Sequence, residues 1–142
     1  DKSKYHEFKG YLFNCIIFEN QIRKYSPMLN SSNSFEYSGY GNGYVCLPNY
    51  HPYFATQFCD IDINPTKNLK NIPFGLNLTF SALSVKENIW VIGFSTIELN
   101  INPTNCPFET VKEITLNVEK QCVNYEPFKK VYRKMKMLDI LK

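Results

Sequence analysis

Apolar and polar residues alternate along much of this chain before residue 127, and a period of two marks a strand with one face on a core and the other in water. In FGLNLTFSAL, Leu76, Leu78, Phe80 and Ala82 alternate with Asn77, Thr79 and Ser81. The next run, NIWVIGFSTIELNI, is rich in β-branched residues. There Ile97, Leu99 and Ile101 alternate with Thr96, Glu98 and Asn100, and Gly93 offers a place for a bulge. The polar link SVKEN between these runs has hairpin length. EITLNVE turns Ile114, Leu116 and Val118 inward, and CDIDIN does the same with Cys59, Ile61 and Ile63. YLFNCIIF is apolar on both sides and reads as a central strand. GYGNGYVCL carries Asn42-Gly43, the dipeptide best suited to a tight hairpin turn. Together these runs predict a single all-β domain over residues 1–142, an antiparallel sandwich or barrel-like sandwich of about six to eight strands.

The pattern changes after Glu126-Pro127, a suitable helix start. Phe128, Val131, Tyr132, Met135 and Leu138 fall at helical spacing, while Lys129, Lys130, Arg133, Lys134 and Lys136 make the other positions basic. The segment 127–142 is therefore expected to be a short amphipathic helix. Its apolar stripe either lies on the domain or, with its basic flanks, meets an anionic membrane surface through residues 128–142.

One stretch recurs. DIDINPTKN, from Asp60, returns as ELNINPTNC, from Glu98. Alternation buries the aliphatic members of each copy, and Pro65 and Pro103 would stop two strands at equivalent places, since proline cannot donate to a ladder. Asp60, Asp62 and Asn64 would also put three oxygen-bearing side chains on one face. Alternate strand residues lie nearly 7 Å apart, however, too far to share one calcium ion at about 2.4 Å. No metal or other cofactor is expected.

A chain of 142 residues with 44% hydrophobic and 15% aromatic content has ample material for one core. The net charge of +3 is modest, and guanidinium groups come from Arg23 and Arg133 alone, which argues against nucleic acid. No apolar run is long enough to span a bilayer. Cys15, Cys46, Cys59, Cys106 and Cys122 are too scattered for a Cys-x-x-Cys site, and Asn30 and Asn77 each begin an Asn-x-Ser/Thr sequon. These features, with a first residue that is not methionine, point to a secreted or surface-exposed glycoprotein with disulfides. The expected bridges are Cys46 with Cys59 and Cys106 with Cys122, each bracketing a turn. Cys15 is then left as a buried free thiol.

FEYSGYGNGYVCLPNYHPYF interleaves aromatics with Gly, Ser, Asn and Pro, a mixture favoured in binding loops because tyrosine offers a large amphipathic surface at low entropic cost. Tyr37, Tyr40, Tyr44, Tyr50 and Tyr53 are the candidate partner-binding residues. The chain's two histidines, His6 and His51, lie in no zinc spacing and beside no nucleophile motif, so no catalytic residue is assigned. The expected function is a non-catalytic extracellular recognition or assembly module for a protein or glycan, with oligomerisation left open. The alternative is a small lipid carrier whose two sheets hold an acyl chain between them. In size, strand content and scattered cysteines the chain is similar to the MD-2-related lipid-recognition domains, but its basic C-terminal segment departs from their strand-ended pattern.

Overall fold

The computed structural model describes residues 4–19, 23–24, 35–36, 41–72, 74–96 and 108–141. Its strands are β1 (Lys4–Lys9), β2 (Asn14–Glu19), β3 (Arg23–Lys24), β4 (Phe35–Glu36), β5 (Gly41–Leu47), β6 (Phe80–Ser84) and β7 (Ile89–Ser95). Two helices follow, α1 (Phe108–Val123) and α2 (Glu126–Leu141). Five strands make one antiparallel sheet in the order β1-β2-β5-β7-β6, and β3 pairs with β4 in a separate ribbon. The expected two-sheet sandwich is not formed among the described residues: a helix, α1, lies on β2 and β5 where the second sheet was placed.

The reason lies in residues 111–122. Ile114 and Val118 fit an alternating pattern over a few positions, but Val111, Ile114, Thr115, Val118, Glu119 and Cys122 are the buried residues, spaced as one face of a helix. EITLNVE therefore forms the middle of α1, not a strand. Its face meets the inward side of the sheet, where Cys15, Ile17, Val45, Leu47, Trp90, Ile92 and Phe94 are buried.

The SVKEN hairpin is formed, joining β6 to β7. Asn42-Gly43, by contrast, is not a turn but lies inside β5, with Gly43 paired to Ile17 and Phe94. A Cβ on Gly43 would lie 2.6 Å from the Phe94 ring and would collide with Thr115 Oγ1, so glycine is needed there for close approach of α1. Gly93 makes no bulge either; it pairs in register with Tyr44 and Phe80. Leu76 and Leu78 are buried, but they precede β6, and the register turns Phe80 and Ala82 outward with Gly93 and Val91. Thr96, expected in water, is buried, donating from Oγ1 to the Gly41 carbonyl at 2.7 Å.

CDIDIN is not a strand. A 3-10 turn at Phe58–Asp60 leads into irregular chain in which Ile61 and Ile63 are buried and Asp60 and Asp62 exposed. Asn64 ends this piece as an Asx turn, its Oδ1 accepting from the Thr66 N–H at 3.1 Å. The Asn64 carbonyl accepts from Gln121 Nε2 at 2.8 Å and the Pro65 carbonyl from Asn117 Nδ2 at 2.9 Å. The first copy of the repeat is thus a loop fastened to α1, and the second, with Ile97, Leu99 and Ile101, falls outside the described residues.

Candidate functional site

The outward face of the sheet has no helix on it among the described elements, and it carries a row of aromatic rings. Tyr5 of β1 stacks on Phe18 of β2 at 5.6 Å, Phe18 meets Tyr44 of β5 edge to face at 5.8 Å, and Tyr44 meets Phe80 of β6 at 5.4 Å. The register explains the row. Tyr5 is opposite Phe18, and Tyr44 and Phe80 are both opposite Gly93 of the intervening β7. A Cβ on Gly93 would sit 2.8 Å from Tyr44 Cε1, so the missing side chain is what lets the Tyr44 ring lie across β7. Ile16, Cys46, Val91 and Ala82 share this face and are half-buried. At the ends of the row, Tyr5 is 55% and Phe80 41% exposed.

Beside the row, Asn42 Oδ1 is buried without a hydrogen-bond partner. An unmet acceptor of this kind costs about 1–3 kcal/mol until a donor reaches it. It pairs in register with Phe18 and Ser95, so it belongs to the same face.

The expected tyrosine cluster is only partly assembled. Tyr44 is in the row. Tyr50 is at the surface but stacks on Phe128 at 6.4 Å, away from the sheet's outer face. Tyr53 is buried and stacks on Tyr125 at 4.2 Å, a core residue and not a contact residue. Tyr37 and Tyr40 lie outside the described residues. Tyr5 and Phe18 were not among the expected contact residues, although YLFNCIIF has a second apolar face at Ile16 and Phe18, and Phe80, expected inward from the alternation of FGLNLTFSAL, turns outward opposite Gly93.

Two buried polar side chains, His51 and Glu119, serve the core. His51 is buried among Phe13, Tyr53, Tyr125 and Phe128. Its Nδ1 accepts from the Tyr53 N–H at 2.9 Å, which leaves Nε2 to donate to the Cys122 carbonyl at 3.0 Å. Burial lowers its pKa from the ordinary value, so the ring is neutral near pH 7. Glu119, also fully buried, accepts from the N–H groups of Tyr11, Leu12 and Phe13 at 2.9, 2.7 and 2.9 Å. It thereby ties α1 to the β1–β2 turn.

Cys15, Cys46, Cys59 and Cys122 are free thiols, so the expected Cys46–Cys59 and Cys106–Cys122 bridges are not made; Cys106 itself lies outside the described residues. Alternation along β5 puts Cys46 on the outward face, while Cys59 is exposed in the 3-10 turn. Cys15 is buried in β2 as a free thiol, as the sequence suggested. Burial, and secondarily Glu119, pushes the Cys15 thiol up to about 12, and burial pushes Cys46 up to about 11. Such thiols are not nucleophiles at neutral pH. Among the described residues no cluster of three or more His, Cys, Asp or Glu is placed to hold a metal ion. Asn77 is exposed, as a glycan acceptor must be, and Asn30 lies outside the described residues.

Compared with known protein families, curated proteins and solved structures, the chain matches none.

Proposed function

We propose that this chain is a non-catalytic recognition module, secreted or displayed on the outer face of a cell, that binds a protein partner through the outward face of its sheet. The observation that carries this is the row Tyr5, Phe18, Tyr44 and Phe80 on a face that no described helix covers. The row crosses four strand spacings, about 19 Å, enough for the buried centre of an interface of about 800 Å² per partner. Buried centres of that kind are built on tyrosine and phenylalanine. A protein fits the row better than a glycan does. A sugar ring stacks on an open aromatic face, whereas Phe18, Tyr44 and Phe80 meet edge to face, at 86° and 81°, and cover one another. The carrier reading needs a space between two sheets, and the packing of α1 and apolar side chains against the inward side of the five-stranded sheet, among the described residues, favours the recognition reading over it.

The test compares the wild type with Tyr5→Ala and Phe80→Ala, both exposed and so expected to melt within a few degrees of it. Immobilised wild-type protein should retain a defined partner from extracellular extract of the native source, and each variant should weaken that binding by about tenfold or more. Equal retention by both variants would sink the proposal. Capture of free oligosaccharide that is lost with the same substitutions would replace the protein partner by a glycan.

A further inference from the structure

The sequence left open whether the apolar stripe of α2 lies on the domain or faces something else, and the structure divides it. Phe128 is 1% exposed and packs on Phe13 and His51; Val131, Tyr132 and Met135 are half-buried; Leu138 is 55% exposed and Ile140 81%. The domain uses the first turns of the stripe and leaves the later ones uncovered. At about 100° per residue, Met137 and Ile140 project away from the side that Phe128, Val131 and Leu138 share. The later turns are therefore apolar on more than one side, and Arg133, Lys134 and Lys136 are exposed just before or among them. Glu126 lies within 3.5 Å of Lys129 at the start of the helix, and the other acid of α2 is Asp139.

We propose that the later turns of α2 dock on an anionic lipid bilayer surface, with Leu138 and Ile140 entering the boundary between headgroups and acyl chains and Arg133, Lys134 and Lys136 meeting lipid phosphates. Charge complementarity and the distribution of apolar residues favour this occupant over an acidic protein. A groove on a protein takes one stripe, whereas a helix end that tilts into the bilayer boundary can bury Leu138 and Ile140 on its opposite sides while lysine and arginine reach back to the phosphates. The rise of the helix separates Arg133 from Ile140 by about 10 Å. With the end tilted in, that rise keeps Arg133 near the phosphates while Ile140 lies below them.

The test is cosedimentation of the whole chain with phosphatidylcholine vesicles containing about 30% phosphatidylserine. The wild type should bind these at least tenfold more tightly than phosphatidylcholine alone, and the binding should fall as salt is raised. Replacing Arg133, Lys134 and Lys136 together by Gln should weaken it roughly fivefold per cation, on the order of 100-fold in all. Leu138→Ser with Ile140→Ser should weaken it at least tenfold. Should that pair lower the melting temperature, Ile140→Ser alone carries the same expectation at the more exposed position. Asp139→Asn should tighten binding. No binding to the anionic vesicles at low salt overturns the proposal, and so does unchanged binding by the Ser variants. Binding to heparin but not to vesicles, dependent on the cations alone, overturns it in favour of an acidic macromolecule. Phe80→Ala should bind vesicles like the wild type, so this proposal and that for the sheet face fail independently.

Discussion

Replacing Glu119 by Gln should weaken the fold far more than a near-isosteric change inside a helix ordinarily would. The carboxylate accepts three backbone N–H groups from the turn between β1 and β2. Phe13 N–H is buried, so losing its acceptor costs roughly 1–3 kcal/mol. Tyr11 and Leu12 are nearer to solvent, where water can take over, and each of those bonds is worth about 0.5–1.5 kcal/mol. Glutamine keeps one acceptor oxygen but turns an amide donor toward a backbone donor, for a loss of about 2 kcal/mol. Alanine removes both oxygens and leaves a void, for a loss of about 4 kcal/mol. Either value is a large share of the roughly 5–15 kcal/mol that holds a domain of this size together.

Urea unfolding measures these losses as a shift in midpoint at constant slope. Amide exchange locates them, since Tyr11, Leu12 and Phe13 should exchange faster in Glu119→Gln while the β5–β7 ladder keeps its protection. This turn joins β2 to β1, the strand that carries Tyr5 at the end of the aromatic row. If Glu119→Gln and Glu119→Ala both unfold within about 0.5 kcal/mol of the wild type, the three bonds contribute nothing measurable and the carboxylate is not what ties α1 to the hairpin.

Acid should destabilise the protein through His51. Its folded pKa lies below the ordinary 6.5, so below that pH the unfolded chain takes up the proton first. Stability should fall with a slope of up to about 1.4 kcal/mol per pH unit from 6.5 down to the folded pKa. The difference between wild type and His51→Gln, in which other titrations cancel, should show that slope; a flat difference would refute it. Gly43→Ala should cost about 1–3 kcal/mol through collision with Thr115 and Phe94, read as a fall in melting temperature of several degrees. In native protein, iodoacetamide should label Cys59 first and Cys46 slowly, and should leave Cys15 and Cys122 unmodified until denaturant is added. Mass spectrometry of the alkylated chain checks the order, and early labelling of Cys122 would contradict its burial on the inner face of α1.

Features governed by local sequence were legible. The β6–β7 hairpin, β2 with its buried Cys15, and α2 all follow from periodicity and turn chemistry over ten residues or so. What failed was decided by distant residues. Ile114 to Val118 alternate well enough for a strand, and only the longer spacing from Val111 to Cys122 shows that the sheet's partner is a helix. Asn42-Gly43 has the composition of a turn, but its glycine serves to admit α1. The tyrosine-rich segment suggested a contact surface contiguous in sequence. Yet Tyr53 is drawn into the core by Tyr125 and His51, and the surface is assembled from four strands. An alternating pattern says which residues share a face of one strand. It does not say which strand lies next to it.

A cross-strand pairing nevertheless shows how these residues specify their register. In β5 the dipeptide Gly43-Tyr44 runs antiparallel to Gly93-Phe94 of β7, with Gly43 opposite Phe94 and Tyr44 opposite Gly93. On the inward face the Phe94 ring fills the space over Gly43 beside Thr115, and on the outward face the Tyr44 ring lies over Gly93. Each aromatic therefore covers the backbone that the facing glycine leaves bare, once on each side of the sheet. A slip of one residue would turn Cys46 and Asn42 toward α1 and Val45 toward solvent, and would part both rings from their glycines. The same pair of dipeptides thus closes the core and lays down the centre of the exposed aromatic row, so the face proposed to bind is fixed by the contacts that fix the fold.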